Sequence, residues 1–328
     1  MERAVAAAAG VRARTSPNPW VGCVVVTADG REFEGATEPP PGRHAEIVAL
    51  DRALAAGADP TGATVYVTLE PCAHHGRTPP CAGALVAAGV QRVVVAVADP
   101  DPQVAGRGID HLRGAGIDVT LGAGAEAVTE QLAPYLHHRR TGRPWVVLKL
   151  AASLDGRTAA PDASSQWITG PEARADVHRL RAESDAVLVG AGTVRADNPR
   201  LDVRLAHQPV PVREPLRVVL GTAPPDAAIH PCLELGGSLT DVLETLGGKG
   251  VMQLLVEGGA TVAGEYHRQG LVDQYVVYLA PALLGGDDGR PLFSGKGAPT
   301  IADVWRGEFT AVTRLGPDLR LDVRRTNP

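Results

Sequence analysis

The first half of the chain alternates short apolar runs with segments whose apolar residues recur at helical spacing. Runs rich in β-branched residues, the first followed by an Asp29-Gly30 turn pair, predict strands over 21–27, 64–69, 92–99 and 117–121. Apolar residues three and four positions apart, with glycines at the ends, predict helices over 44–57, 81–89 and 106–115. This alternation predicts an α/β/α layered sheet.

A second alternation begins near residue 145. It predicts helices over 171–183 and 260–269 and strands over 145–153, 185–190, 216–220, 253–257 and 274–280. The segment between the two halves, HHRRTGRP at 137–144, is polar and turn-forming. It suits a solvated linker, although a His-Arg run would also suit a nucleic-acid patch. We therefore expect two α/β domains, 1–144 and 145–328, because a domain usually takes roughly 100–200 residues.

Composition excludes several classes of protein. The net charge of −5 provides no basic surface for broad binding to nucleic acid. No window approaches the ~18 uninterrupted apolar residues of a membrane helix, and the Ala-rich start is too short and too Arg-flanked for a secretory signal. Four cysteines in 328 residues do not form a disulfide framework. These features predict a cytoplasmic protein with no membrane or nucleic-acid partner.

The clearest chemical pattern is His44-Ala45-Glu46 followed by Pro71-Cys72 and by Cys81. One imidazole and two thiolates suit tetrahedral zinc, and three protein ligands leave a fourth position for water. Glu46, two residues beyond the histidine at a helix start, is placed to carry protons between water, ring nitrogen and leaving amine. The pattern is typical of zinc nucleobase deaminases, although here eight residues separate the two cysteines rather than two.

Two alternatives to a catalytic zinc site remain open at this point. His74 or His75 could supply a fourth ligand and close the site as a structural zinc knot. Alternatively, the two cysteines could be core residues and the histidine a surface residue. Cys23 lies in the middle of a predicted strand, so we expect it in the core rather than on the metal.

Longer strings identify a family for the first half. The segments 15–26 (TSPNPWVGCVVV), 44–46 (HAE), 68–81 (TLEPCAHHGRTPPC) and 99–119 resemble the deaminase half of the bifunctional riboflavin-biosynthesis deaminase–reductase family. The resemblance implies a cytidine-deaminase-like fold, zinc on His44, Cys72 and Cys81, and Glu46 as proton shuttle. It also places Asn18, His74 and Arg77 on the substrate side. Each of these three would otherwise be explained as a turn or polar-loop residue.

The second half has no G-x-G-x-x-G dinucleotide fingerprint. Glycine-rich turns follow two predicted strands, at 190–195 and at 256–265. Two such strand ends in one domain would suit a diphosphate at the edge of the sheet. Their spacing alone is explained equally by ordinary strand-to-helix turns.

The segments 149–159, 165–170, 180–204, 254–265 and 271–286 resemble the reductase half of the same family. The resemblance implies a dihydrofolate-reductase-like fold and NADPH as cofactor. On the cofactor side it places Ala151, Trp167, Thr193, Asp197, Gly259, Ala260, Thr261, Val262, Ala263, Gly264 and Glu265. On the substrate side it places Ser165, Arg181, Leu201, Arg204 and Glu257. Asp197 is in addition a candidate catalytic residue.

Chemistry supports part of this assignment. Arg181 and Arg204 could clamp a phosphate, although each could equally be an exposed ion pair. Glu257 could accept hydrogen bonds from a pyrimidine. Lys149, one of three lysines in the chain, sits in an apolar strand and could orient substrate or donate a proton. It could also extend to solvent from the strand end. The segment 221–250 looks shorter than is usual for the family, so we expect a strand to be missing there.

The function that best fits these features is a two-step enzyme of riboflavin biosynthesis. Zinc-dependent deamination of a diaminopyrimidinone ribosylamine phosphate would precede NADPH-dependent reduction of the ribosyl group to a ribityl chain. The alternatives are a transfer-RNA deaminase with an appended domain and a zinc-stabilised binding module without catalytic activity. We expect a small phosphorylated pyrimidine as partner and a homo-oligomer as quaternary state.

Overall fold

The computed structural model describes residues 1–73, 80–102, 104–205 and 213–326. The chain divides into two compact units, Met1–Gly142 and Arg143–Pro328. Each unit contains its own sheet and its own buried core, and each is described separately below.

Unit 1 is built on a five-stranded sheet of order β2-β1-β3-β4-β5. β1 pairs antiparallel with β2 and β3, whereas β3, β4 and β5 are parallel. The strands are β1 (Gly22–Val26), β2 (Glu32–Ala36), β3 (Thr64–Leu69), β4 (Arg92–Val97) and β5 (Asp118–Leu121). The helices are α1 (Glu2–Ala9), α2 (Ala45–Ala55), α3 (Cys81–Ala87), α4 (Arg107–Gly114), α5 (Ala125–Gln131) and α6 (Ala133–Thr141).

Two glycines allow helices to approach the sheet closely from opposite faces. A Cβ on Gly22 would lie 1.9 Å from the carbonyl oxygen of Ala4 in α1, and one on Gly35 would lie 2.2 Å from that of Ala45 in α2. Gly35 pairs across the ladder with Cys23, the neighbour of Gly22, and adjacent strand residues face opposite sides. Helices therefore cover both faces of the sheet, as the α/β/α prediction required.

The predicted linker at 137–144 is wrong for most of its length. Residues up to Thr141 form the last turns of α6, which begins with Pro134 in its first turn and is anchored by the buried Tyr135 and Leu136. The basic residues lie in the last turn of α6, where the partial negative charge of the helix C-terminus favours cations. Gly142, with φ 72°, ends the helix in the left-handed conformation.

Unit 2 contains an eight-stranded sheet of order β10-β9-β8-β11-β6-β12-β15-β14, parallel from β10 to β12 and antiparallel beyond. Its strands are β6 (Trp145–Ser153), β8 (Ala186–Gly190), β9 (Leu216–Leu220), β10 (Leu233–Leu235), β11 (Gln253–Val256), β12 (Gln274–Ala280), β14 (Gly307–Leu315) and β15 (Asp318–Arg325). β7 (Arg157–Ala159) and β13 (Arg290–Pro291) form a separate pair. The helices are α7 (Pro171–Ala182), α8 (Ala191–Asp197), α9 (Leu239–Gly248) and α10 (Ala260–Arg268).

The segment 221–250, which looks shorter than is usual for the family, contains one strand and one helix. β10 pairs parallel with β9, and α9 follows it. Ser238 and Asp241 form a capping box at the start of α9. The apolar pattern does not predict β10, because three residues are too few to show a period.

The C-terminal hairpin of β14 and β15 was also not predicted. Almost every side chain of β14 is exposed, including Phe309 at 65% and Val312 at 59% exposure. Because β14 is the last strand in the order of the sheet, it forms an edge, and this edge carries exposed apolar side chains. Across the part of the chain that the structure describes, no helix has both the length and the apolar character needed to cross a membrane.

Candidate active sites

The predicted metal ligands of unit 1 come together at the starts of two helices. His44 is the residue that precedes α2, and Cys81 is the first residue of α3. Cys72 lies three residues beyond the end of β3 and is not part of the sheet. The ligand atoms of the three residues all lie within 4.8 Å of one another.

The distances within this group fit a bound metal. His44 Nδ1 lies 3.6 Å from the Sγ of Cys72 and 3.3 Å from the Sγ of Cys81. Without a metal, hydrogen bonding with Cys81 lowers the pKa of Cys72 to about 4, and the same shared proton raises the pKa of Cys81. One imidazole and two convergent thiols are the donor set that zinc prefers. Among the described residues the group contains these three members. Three protein ligands are the number typical of catalytic zinc sites, in which water takes the fourth position.

Glu46 lies in the first turn of α2 and is buried, with 4% exposure. Burial, followed by the charge of Cys72, raises the pKa of Glu46 to about 7. A carboxyl group that titrates near neutrality can both accept and return a proton. Its position two residues after His44 brings it to the metal group without making it a ligand.

Of the other residues of unit 1 considered in the sequence, Asn18 and Cys23 lie among the described residues. Asn18 is half-buried in a turn, where its backbone N–H donates to Thr15 O at 2.8 Å. Cys23 is fully buried, and burial raises the pKa of its thiol. It is not a member of the metal group, in agreement with its expected place in the core. His74, His75 and Arg77 lie outside the described residues.

In unit 2, Lys149, Arg181 and Glu257 form a buried cluster of charges. Arg181 donates both arms of its guanidinium to Glu257, from Nε to Oε1 at 2.6 Å and from Nη2 to Oε2 at 3.0 Å. The Nζ of Lys149 lies 3.7 Å from Glu257 Oε2. Burial lowers the pKa of Lys149; burial would raise the pKa of Glu257, but its two cationic neighbours outweigh this and lower it.

Sheet register explains why this cluster forms. β11 and β6 are parallel, with Val256 opposite Leu148, so the next pair along the ladder is Glu257 opposite Lys149. Lys149 faces the same side of β6 as the buried Val147, which packs with residues of α7. Arg181, near the end of α7, reaches the cluster from that face.

Arg204 differs from Arg181 in its surroundings. Its side chain is 69% exposed, and its Nε lies 3.5 Å from Asp202 Oδ1. His178, which pattern analysis did not identify, lies beside both arginines, and its Nδ1 is 3.2 Å from the backbone nitrogen of Arg204. The position of His178 three residues before Arg181 on α7 was the signal available in the sequence. Leu201 is buried, with a positive φ of 53°.

The two glycine-rich strand ends lie side by side in unit 2. β8 and β11 pair in parallel, and Gly190 and Gly259 immediately precede α8 and α10. A Cβ on Gly190 would lie 2.9 Å from Val262, and the N–H of Gly259 donates to Thr193 Oγ1 at 3.3 Å. Adjacent helix starts after parallel strands form an edge suited to a diphosphate, so the residues fit a dinucleotide such as NADPH.

The other cofactor-side residues occupy varied positions. Ala260 and Thr261 lie in the first turn of α10, whereas Ala263 is fully buried in the core and Glu265 pairs with Arg268 at 2.6 Å. A Cβ on Gly264 would collide with Ser294 O. The structure places the remaining candidates as follows: Ala151 half-buried in β6, Asp197 exposed at the end of α8, and Ser165 half-buried and Trp167 exposed in the loop before α7.

Comparison with known proteins extends over both units. A family model described as the cytidine and deoxycytidylate deaminase zinc-binding region matches residues 1–97, and one described as the RibD C-terminal domain matches residues 144–321. The riboflavin biosynthesis protein RibD of Mycobacterium tuberculosis is 44% identical over 95% of this chain and 93% of its own length. The corresponding Escherichia coli protein is 40% identical over 98% of each chain.

Solved structures give the same result. Acinetobacter baumannii RibD superposes with a TM-score of 0.92 at 39% identity, over 99% of this chain and 98% of that chain. A Thermotoga maritima protein superposes with a TM-score of 0.89 at 32% identity, over 99% and 97%. That protein is described as a diaminohydroxyphosphoribosylaminopyrimidine deaminase/5-amino-6-(5-phosphoribosylamino)uracil reductase.

Together, the fold and the two sites define a zinc-binding deaminase of the cytidine deaminase type, combined with a reductase domain. The chain belongs to the RibD family of riboflavin biosynthesis proteins. The predicted fold class and family resemblance are therefore confirmed. Because the similarity spans nearly the whole chain, the transfer-RNA deaminase alternative is set aside.

Substitution of two cysteines of unit 1, one inside the metal group and one outside it, tests whether this group binds zinc. We expect the intact chain to hold one zinc ion, and Cys72→Ala to lose it because two remaining ligands bind zinc weakly. Cys23→Ala, which alters a buried thiol outside the group, should retain zinc. Metal analysis of the purified variants measures both results. Equal zinc in the Cys72→Ala and unmodified proteins would show that the metal lies elsewhere.

Proposed function

We propose that this chain carries out two consecutive reactions of riboflavin biosynthesis on a phosphorylated pyrimidine. The first hydrolyses a ring amine of a diaminopyrimidinone ribosylamine phosphate, and the second reduces the ribosyl group to a ribityl chain. The observation that carries the proposal is the convergent His44, Cys72 and Cys81 group with buried Glu46 beside it. The whole-length similarity to the Thermotoga maritima deaminase/reductase supports the second reaction.

In the deaminase site, His44, Cys72 and Cys81 would hold zinc, which when bound would supply an activated water as nucleophile. Glu46 would take one proton from that water and pass it to the ring nitrogen, and would then pass the proton of the hydroxyl group added to the ring carbon to the leaving amine, which departs as ammonia. The ring carbon gains a carbonyl oxygen in exchange for the amine. Because Glu46 lies in the first turn of α2, its carboxyl group is held at a set distance from the ligand His44. Asn18 contacts the pyrimidine.

In the reductase site, NADPH supplies the hydride. This hydride would add to C1′ of the ribosylamine as the bond from C1′ to the ring oxygen breaks, and the released oxygen would take up a proton. Lys149, buried beside Glu257, is the side chain we assign to orient the opened sugar or to provide its proton. Arg181 holds Glu257 in place through two hydrogen bonds, and the exposed Arg204 is the group available for the phosphate. The residues around Gly190 and Gly259 receive the cofactor.

The Glu46→Gln variant tests the deaminase assignment. An amide of the same shape cannot shuttle protons, so ammonia release should be lost while zinc remains bound. Reduction of already deaminated substrate should continue at the normal rate. Glu126→Gln, at an exposed position in the first turn of α5, serves as the control. A near-normal rate of ammonia release from Glu46→Gln would falsify the assignment.

Two substitutions in unit 2 separate binding from chemistry. Arg204→Ala should chiefly raise KM, because a remote phosphate is held equally in ground and transition states and a charge-assisted contact is worth about 1.5–3 kcal/mol. Lys149→Met keeps the apolar stem but removes the ammonium, so kcat should fall more than KM rises. Steady-state kinetics of the reductase step measures both.

Lys249→Met, at an exposed lysine after α9, controls for the loss of an ammonium elsewhere. A fully active Lys149→Met together with an Arg204→Ala that loses only kcat would reverse our orientation of the substrate.

We further propose that residues 1–144 carry the deaminase activity and residues 145–328 the reductase activity. Each segment holds a complete set of candidate residues and closely matches one compact unit. The exposed apolar edge strand β14 supports a homo-oligomer formed through the reductase segment, because unpaired strand edges readily pair with another copy. Four free cysteines support a reducing, cytoplasmic location.

Separate expression of residues 1–144 and 145–328 tests both the assignment of the two activities and the proposed homo-oligomer. Each fragment should retain its own activity, measured as ammonia release and as NADPH oxidation. Sedimentation velocity should show the 145–328 fragment as a multimer, and Val312→Lys on β14 should shift it towards monomer. Two soluble but inactive fragments would show that the activities depend on the joined chain.

A further inference from the structure

Glu70 is a buried carboxylate that the mechanism above does not use, although it lies two residues before the zinc ligand Cys72. It directly follows β3, and its residue exposure is 4%. Four backbone N–H groups donate to its two oxygens. A carboxylate can receive this many donors because all of its hydrogen-bonding positions are acceptors, whereas an amide would present a donor at one end.

The four donors come from a segment distant in sequence. The N–H groups of Gly108 and Ile109 donate to Oε1 at 2.9 and 3.3 Å, and those of Gly106 and Asp99 donate to Oε2 at 3.1 Å each. Three of these groups belong to the start of α4, where backbone N–H groups lack helical partners and a negative charge is favoured. Glu70 therefore ties the end of β3 to the first turn of α4.

The main chain leading to Cys72 is held equally closely. A Cβ on Gly108 would lie 1.9 Å from the carbonyl oxygen of Pro71, so α4 lies directly against the residue between Glu70 and Cys72. On the other side, the carbonyl of Cys72 accepts from the N–H of Ala82 at 3.1 Å. The N–H of Cys81 lies 3.3 Å from Cys72 Sγ. The short segment is thus fixed between α4 and α3.

We propose that Glu70 is a positioning residue for the zinc centre. Its carboxylate holds the backbone of Pro71 and Cys72 against α4, and this sets the Sγ of Cys72 relative to His44 and Cys81. Groups outside the ligand set commonly control metal affinity by orienting the ligands. The inference rests on the proposed zinc site and adds to it a residue that touches neither metal nor substrate.

The first test is Glu70→Gln in the full-length chain. The amide keeps the size of the side chain but turns a donor towards two of the N–H groups, so the segment should shift. Zinc release into excess chelator should become faster, on the order of 10-fold, the lower range for loss of an outer partner of a metal site. In the Co²⁺-loaded protein, the thiolate-to-metal absorption band should change in position or intensity.

A second variant covers the possibility that Glu70→Gln does not fold. Gly108→Ala keeps the carboxylate but forces α4 away from Pro71, so it should accelerate zinc release in the same way. Gly114→Ala is the matched control, since a Cβ at this position in the same helix meets nothing within 4 Å. It should leave zinc release and the cobalt spectrum unchanged.

Asp185→Asn controls for general loss of stability. Asp185 is also buried and accepts from the N–H groups of Met252 and Gln253, at 2.9 and 3.0 Å, but it lies in unit 2. Its loss should lower the melting temperature without affecting zinc. If Glu70→Gln and Gly108→Ala lower the melting temperature yet keep normal zinc release and the normal cobalt band, Glu70 is structural and the proposal is overturned. If the unmodified chain holds no zinc, the proposed deaminase site itself fails.

Discussion

The convergence of one imidazole and two thiols, a donor set suited to tetrahedral zinc, is the constraint on which the arrangement of unit 1 depends. His44 and Cys81 stand at the starts of α2 and α3, while Cys72 comes from the end of β3. Helix starts can be brought this close because Gly35 lets α2 rest on the sheet with no intervening side chain. The buried position of Glu46 follows from the same helix placement, since it is the second residue of α2.

A comparable constraint acts in unit 2 through strand register. The parallel pairing of β11 with β6 puts Glu257 beside Lys149, and α7 brings Arg181 to the same face. A shift of one residue would move Lys149 to the opposite face of the sheet. The cluster combines one carboxylate with two cations, so both cations share one negative partner in a site with little access to solvent.

The two arginines illustrate how environment separates residues of the same type. Arg181 has a side chain 13% exposed and uses its planar fork on Glu257, whereas Arg204 is 69% exposed. A buried guanidinium paired in this way is an orienting element. An exposed one beside a half-buried carboxylate can exchange that partner for a dianionic phosphate at small cost.

Much of this arrangement was determined by the sequence itself. β3, β6, β9 and β12 begin and end where the apolar pattern placed them, because each contains at least four apolar residues, enough to define a strand clearly. The ligand set was equally evident, since zinc tolerates few residue types and the His-x-Glu and Pro-Cys spacing is distinctive. Short or exposed elements, such as β10 and β14, were missed because they bury too little to leave a periodic pattern.

Only the tertiary structure decided which residues meet. Nothing in the sequence near Glu70 indicates that its carboxylate caps α4. The backbone N–H groups that donate to this carboxylate, such as those of Asp99 and Gly108, lie 29 and 38 residues further along the chain. The same holds for the pairing of Arg181 with Glu257, separated by 76 residues. Local pattern is set by which side chains must be buried within one element, whereas these contacts depend on how separate elements pack. The helix α6, whose last residues fall in the predicted linker at 137–144, is held by burial of Tyr135 and Leu136, and burial is a property of the folded chain.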